Sequence, residues 1–199
     1  MNGKLIAVSV GSVLLLGAVA LRMSGAAPAQ ASAGDAKTAE QVRASRVARG
    51  KYIVSSTGCG DCHTPLTLGK NGPERDMARM LSGHPESMQM PPAPPASGPW
   101  IASAAGTLTA WAGPWGTSFT ANITPDRETG IGTWTEDHFV QTIRKGRHMG
   151  SGRQLLPPMP VEFYRNFSDE DLKSIFWYLQ SVPAVKNRVP QPIPPVAAE

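Results

Sequence analysis

Apolar side chains recur at helical spacing in three stretches of the chain. From about Thr38 to Ser56, Val42, Val47 and Ile53 stand among Arg43, Arg46, Arg49 and Lys51, and Thr57 and Gly58 close the segment. This predicts a first helix that delivers the chain directly into Cys59. A second helix is expected from Glu136 to Lys145, with Thr135 as N-cap, Phe139, Val140 and Ile143 on its inner face and Gly146 as its stop. The third begins after Ser168, whose spacing to Asp171 is a helix-start signature, and aligns Leu172, Ile175, Phe176 and Leu179 in one stripe that ends before Pro183. Gly50 suits a close crossing of the first and third helices, with Tyr52, Trp177 or Tyr178 packed there.

Between Thr64 and Phe119 the periodicity disappears. Pro91, Pro92, Pro94, Pro95, Pro99 and Pro114, interspersed with Gly98, Gly106, Gly113 and Gly116, argue against a long regular element. Residues 66–118 therefore read as an irregular Pro/Gly/Trp-rich loop insertion, with a short helix around Glu74 to Leu81. Trp100, Trp111 and Trp115 are too apolar to be left in water and are expected to fold back as cover. The tail, 186–199, holds four prolines between Val189 and Pro195 and reads as an extended strap. The expected fold class is all-α: one helical domain over residues 38–185, interrupted by the insertion.

The N-terminus follows a different pattern. Lys4 precedes an uncharged run from Leu5 to Leu21, and small-residue cleavage candidates follow at Ala29 to Ala31 and Ala31 to Ala33. Residues 1–33 are read as a signal peptide, or as an N-terminal membrane anchor, since Arg22 directly after the apolar run also suits retention. Either way the domain is placed outside the cytoplasm, in the periplasm. The formal charge of +4 includes Lys4 and Arg22; without them 17 basic and 15 acidic residues remain. That near balance is no argument for nucleic acid, which needs a clustered basic face, and no nucleic-acid partner is expected.

Two cysteines three positions apart would staple almost nothing as a disulfide. Cys59, Gly60, Asp61, Cys62 and His63 spell CxxCH, the pattern of covalent haem attachment. Its spacing sets two thiols one helical turn apart, so that both reach the haem vinyl groups and the next side chain reaches the iron. Two other uses of the pair compete with this one. Zinc would need about four ligands, and only His63, His84, His138 and His148 could add to the cysteines. A thioredoxin-like pair belongs to alternating βαβ units, which this chain does not suggest. The reading is one covalently bound haem c, attached at Cys59 and Cys62, with His63 on the iron. For the sixth position Met159 is the leading candidate, because prolines on both sides hold its backbone extended; Met149, His148 and an open position are the alternatives. Asn122 or Arg127 are candidate propionate partners against a plain turn role.

The helix entering CxxCH, the proline-held methionine and the terminal amphipathic helix resemble the class I c-type cytochrome domain. Asn122-Ile123-Thr124-Pro125-Asp126, Thr129-Gly130-Ile131-Gly132, Trp134-Thr135 and Pro158-Met159-Pro160 resemble single haem modules of the cytochrome c subunits of bacterial membrane-bound alcohol and sugar-acid dehydrogenases. The resemblance covers roughly Arg49 to Val185. It implies haem binding by Cys59 and Cys62, iron ligation by His63 and Met159, and redox protein partners such as a dehydrogenase, an oxidase or another membrane electron-transfer complex. The function expected is a mono-haem electron carrier, not an enzyme. A haem enzyme or small-ligand sensor with a labile sixth position, and a haem subunit fixed in a respiratory complex, stay as alternatives.

Overall fold

The computed structural model describes residues 33–94 and 98–195. The apolar run Leu5 to Leu21 lies outside the described residues. Among the described residues, no helix is long and apolar enough to cross a membrane.

Helix α1 (Ala33–Ser56) is buried near its C-terminal end, where Gly50, Ile53 and Val54 fall at i, i+3 and i+4. That face meets α5 (Asp169–Leu179), which buries Leu172, Ile175, Phe176 and Leu179, the stripe seen in the sequence. A β-carbon added at Gly50 would lie 1.9 Å from the Ser174 carbonyl oxygen and 2.8 Å from Tyr178 Cβ. Only glycine permits this crossing. Tyr178 is the aromatic at it, whereas Tyr52 is 64% exposed and Trp177 lies under Arg43, 5.3 Å from its guanidinium.

Helix α3 (Glu136–Lys145) occupies the expected residues, capped by the Thr135 hydroxyl and stopped by Gly146 in the left-handed region. Its inner face, Phe139, Val140 and Ile143, joins α1 and α5 in one core with Leu81, Ile131 and Val182. Two half-exposed arginines stitch the helices from outside: Arg46 reaches Glu136 and Glu170, and Arg49 reaches Asp171 at 2.9 Å.

The all-α expectation is corrected by the stretch between α2 (Cys59–His63) and α3, which contains five short strands in two antiparallel sheets. β1 (Leu66–Gly69) pairs with β2 (Gly72–Arg75) in register Leu66 to Arg75. β3 (Ser103–Ala104), β4 (Ala110–Gly113) and β5 (Gly116–Phe119) form the second sheet. Of the prolines and glycines that speak against helix here, Gly98, Pro99, Gly106 and Pro114 lie in turns, Pro91, Pro92 and Pro94 in irregular chain, and Gly113 and Gly116 at strand ends. Lys70-Asn71 and Pro114-Trp115 connect the two tight hairpins, each with glycine on both sides. Strands of two to four residues need no long run of alternation, which is why no periodicity marks them. The expected helix near Glu74 to Leu81 is a single 3₁₀ turn at Met77–Arg79, capped by Asp76.

After α5 the chain returns across the insertion. Asn187 is buried, its amide donating to the carbonyls of Ser82 (2.7 Å) and His84 (2.8 Å) and its side-chain oxygen accepting from Glu86 N (2.8 Å). Further on, Ile193 pairs with Thr117 of β5.

Candidate functional site

The turn from α1 into α2 runs through Gly58 at φ 74°, a left-handed conformation that lets the chain reverse and present Cys59, Cys62 and His63 from one short helix. Its far end is held by Thr64, whose buried hydroxyl accepts from Leu81 N (3.0 Å) and whose carbonyl accepts from Arg75 (3.0 Å). At its near end the Tyr164 hydroxyl, from α4 (Val161–Tyr164), donates to the Thr57 carbonyl at 2.7 Å. Burial is the main reason the Tyr164 phenol is pushed up to about 12.

Cys59, Cys62, His63 and Met159 all line one cavity of about 350 Å³, within the range typical of ligand pockets. Much of the remaining wall is apolar: Phe139 and Ile143 of α3, Leu172, Ile175 and Leu179 of α5, and Ile131 before α3. The methionine loop contributes Leu155 to Pro160, and the tail contributes Arg188 to Pro192.

His63 Nδ1 lies 2.7 Å from the Ala121 carbonyl oxygen. A carbonyl only accepts, so Nδ1 carries the proton and Nε2 keeps its lone pair for a metal. Burial lowers the imidazole's pKa, with the Ala121 bond acting in the opposite direction, and the lowering favours the neutral ring that a metal ligand requires. Both cysteines are free thiols. Burial raises the pKa of each, and the neighbouring Asp61 charge adds to the rise. Met159 is half-buried and packs against the core.

The alternatives for the sixth position separate in space. His148 lines the cavity, with its ring edge-on to Trp134 at 5.1 Å, while Met149 is not part of the wall and is 37% exposed. Of the two propionate candidates, Asn122 is on the cavity wall and Arg127 is not. Asn122 is buried and its amide is bonded to the Val185 carbonyl (2.8 Å) and the Thr129 hydroxyl (3.1 Å), while Arg127 is exposed and outside the cavity wall. Trp100, Trp111 and Trp115 do not line the cavity; Trp100 is 75% exposed, and the insertion meets the cavity at its last residue, Ser118, followed by Phe119 to Ala121. Among the described residues no group of three or more His, Cys, Asp or Glu side chains stands close enough to hold a metal ion, as a closed zinc site would require.

The residues present fit a covalently attached haem. Two thiols, a neutral imidazole with one free nitrogen, and a thioether share an apolar cavity, which is the donor set of a c-type centre.

No protein-family model matches the chain. The chain resembles cytochrome c subunits of dehydrogenases. It is 28% identical to the fructose dehydrogenase cytochrome subunit of Gluconobacter japonicus over 94% of its own length and 31% of that protein. With the gluconate 2-dehydrogenase cytochrome c subunit of Pantoea cypripedii it shares 29% identity over 70% of this chain and 24% of the relative. A shorter match, 40% identical, covers 39% of the chain and 6% of a nicotinate dehydrogenase subunit of Pseudomonas putida. The chain thus spans less than a third of the length of these curated relatives.

Proposed function

We propose that this chain is a haem c electron-transfer module serving a dehydrogenase outside the cytoplasmic membrane. The carrying observation is the His63 imidazole, fixed by the Ala121 carbonyl with Nε2 free, on the wall of a cavity shared with both thiols and Met159. Haem iron, once attached, supplies reversible one-electron chemistry between its ferric and ferrous states. Cys59 and Cys62 form the thioether links, and one CxxCH corresponds to one haem. His63 and Met159 are the residues that would hold the iron. The soft sulfur of Met159 favours the reduced state and raises the potential, while the apolar wall from α3 and α5 keeps water from the metal.

With His63 and Met159 both committed to the iron, outer-sphere electron transfer would be the chemistry left to the haem. The rival reading with an open or labile position takes His148 as its resource, since that ring also lines the cavity. The names of the relatives favour a subunit of a dehydrogenase complex over a freely diffusing carrier. Residues 38–185 are the haem domain in this reading, and 1–33 export the chain to the periplasm or anchor it at the membrane.

Intact mass with a haem count on the exported protein tests the cofactor: polypeptide plus one haem is expected, and a bare polypeptide mass overturns the proposal. Met159→Ala is expected to abolish the near-infrared sulfur-to-iron band of the ferric protein and lower its reduction potential. Retention of that band would remove Met159 from the iron.

A further inference from the structure

Arg153 and Arg188 both line the cavity, one from the loop ahead of Met159 and the other from the tail. Arg46, Arg49, Arg75, Arg79, Arg144 and Arg165 each meet a carboxylate. Neither Arg153 nor Arg188 has one within ion-pair distance of its guanidinium among the described residues. The Arg153 guanidinium bonds only the adjacent Gln154 carbonyl, at 3.3 Å. Arg188 is fixed through its backbone, whose N–H donates to Glu86 at 3.0 Å. Burial pulls the Arg153 pKa down, and its charge in turn helps burial push the His148 imidazole down. Glu128, the carboxylate on the cavity wall, is already engaged with Lys186 at 2.8 Å.

Both arginines are exposed residues on the wall of one largely apolar cavity, and neither guanidinium is committed to an ion pair among the described residues, so both are available to an anionic group seated there. A ligand bearing two carboxylates would engage both. We propose that Arg153 and Arg188 seat the two propionates of the haem. This rests on the function proposed above and extends it to residues that the sequence pattern did not single out. Arginine suits the role, since its planar fork takes a carboxylate through two parallel bonds. The pairing also links the tail to the cofactor. Asn187, next to Arg188, already locks the tail to Ser82 and His84, and the propionate contact would close it over the cavity mouth.

The test is potentiometry on the haem-loaded full chain. Arg153→Gln and Arg188→Gln each remove a positive charge near the iron and should favour the ferric form. Together they are expected to shift the ferric-to-ferrous ratio by about tenfold, a fall of about 59 mV for one electron. Arg153→Lys and Arg188→Lys, which keep the charge without the fork, should restore part of the fall. Arg127→Gln, exposed and away from the cavity, is the control for loss of one surface charge. Glutamine variants with attached haem and the potential of that control overturn the assignment. A chain that carries no haem at all also overturns it, and is recognised by its lack of visible absorption as failure of the underlying function instead.

Discussion

Asn187 shows how much one side chain can hold when its partners are carbonyls with no other use. It accepts from Glu86 N and donates to two carbonyls more than a hundred residues earlier, all around a position 6% exposed. Its backbone N–H donates to Thr129, whose hydroxyl also receives Asn122. Asn187→Ala would strand those carbonyls in the interior. Each unsatisfied buried group costs about 1–3 kcal/mol, so a loss of about 2–3 kcal/mol in urea unfolding is expected. Asn187→Asp keeps the acceptor and loses the donors, and should recover little. None of this was visible in Lys186-Asn187-Arg188, because a polar residue in a proline-rich tail reads as solvated and its partners lie far away in sequence. His63 is the opposite case. Its candidacy as a ligand was legible from five consecutive residues, although the Ala121 carbonyl that selects its tautomer was not.

At the scale of elements, what was legible was periodic. α3 and α5 were found with their caps because each buries one face of a regular helix. The hairpins were missed because their strands are too short for a pattern, and the local signals they gave were the glycines flanking Lys70-Asn71 and Pro114-Trp115. The α1–α5 crossing was legible from one residue, Gly50. Gly50→Ala gains about 1 kcal/mol of helix propensity but places a methyl group against the Ser174 backbone, which cannot rotate away. Overpacking of this kind costs about 1–3 kcal/mol, and since a carbonyl sets the limit the clash should win, with a net loss of about 2 kcal/mol by thermal unfolding. Arg49 and Asp171 join the same two helices, and the hydrogen bond from Arg49 is the main reason the Asp171 carboxyl lies below 3.8. A carboxyl depressed in the folded state stabilises it above its unfolded pKa and ceases to do so as pH falls through the folded value. Asp171→Asn should therefore be less stable than the parent at pH 7, with the gap closing below about pH 3.8.

For the whole molecule, the second sheet matters more than its size implies. Within five residues at its end, Thr117 pairs with Ile193 of the tail, the Ser118 hydroxyl donates to the Pro157 carbonyl at 2.5 Å, and Ala121 receives His63. The three segments that meet at the cavity, the CxxCH helix, the methionine loop and the tail, are thus indexed to one strand and the turn after it. A stretch that reads as an irregular interruption in the sequence acts as the frame of the site. Its contribution can be isolated at Ser118, whose side-chain hydroxyl bonds a backbone carbonyl of the methionine loop. Ser118→Ala should cost about 1 kcal/mol of global stability, the usual net worth of one hydrogen bond. The larger effect is expected on the loop: in ferric holoprotein titrated with urea, the sulfur-to-iron band should disappear at a lower concentration than the tryptophan signal of global unfolding. In the parent the two transitions should coincide, and Ser118→Thr, which keeps the hydroxyl, should bring them back together. Coincident transitions in Ser118→Ala would mean that Met159 is held by its prolines alone, with no help from the sheet.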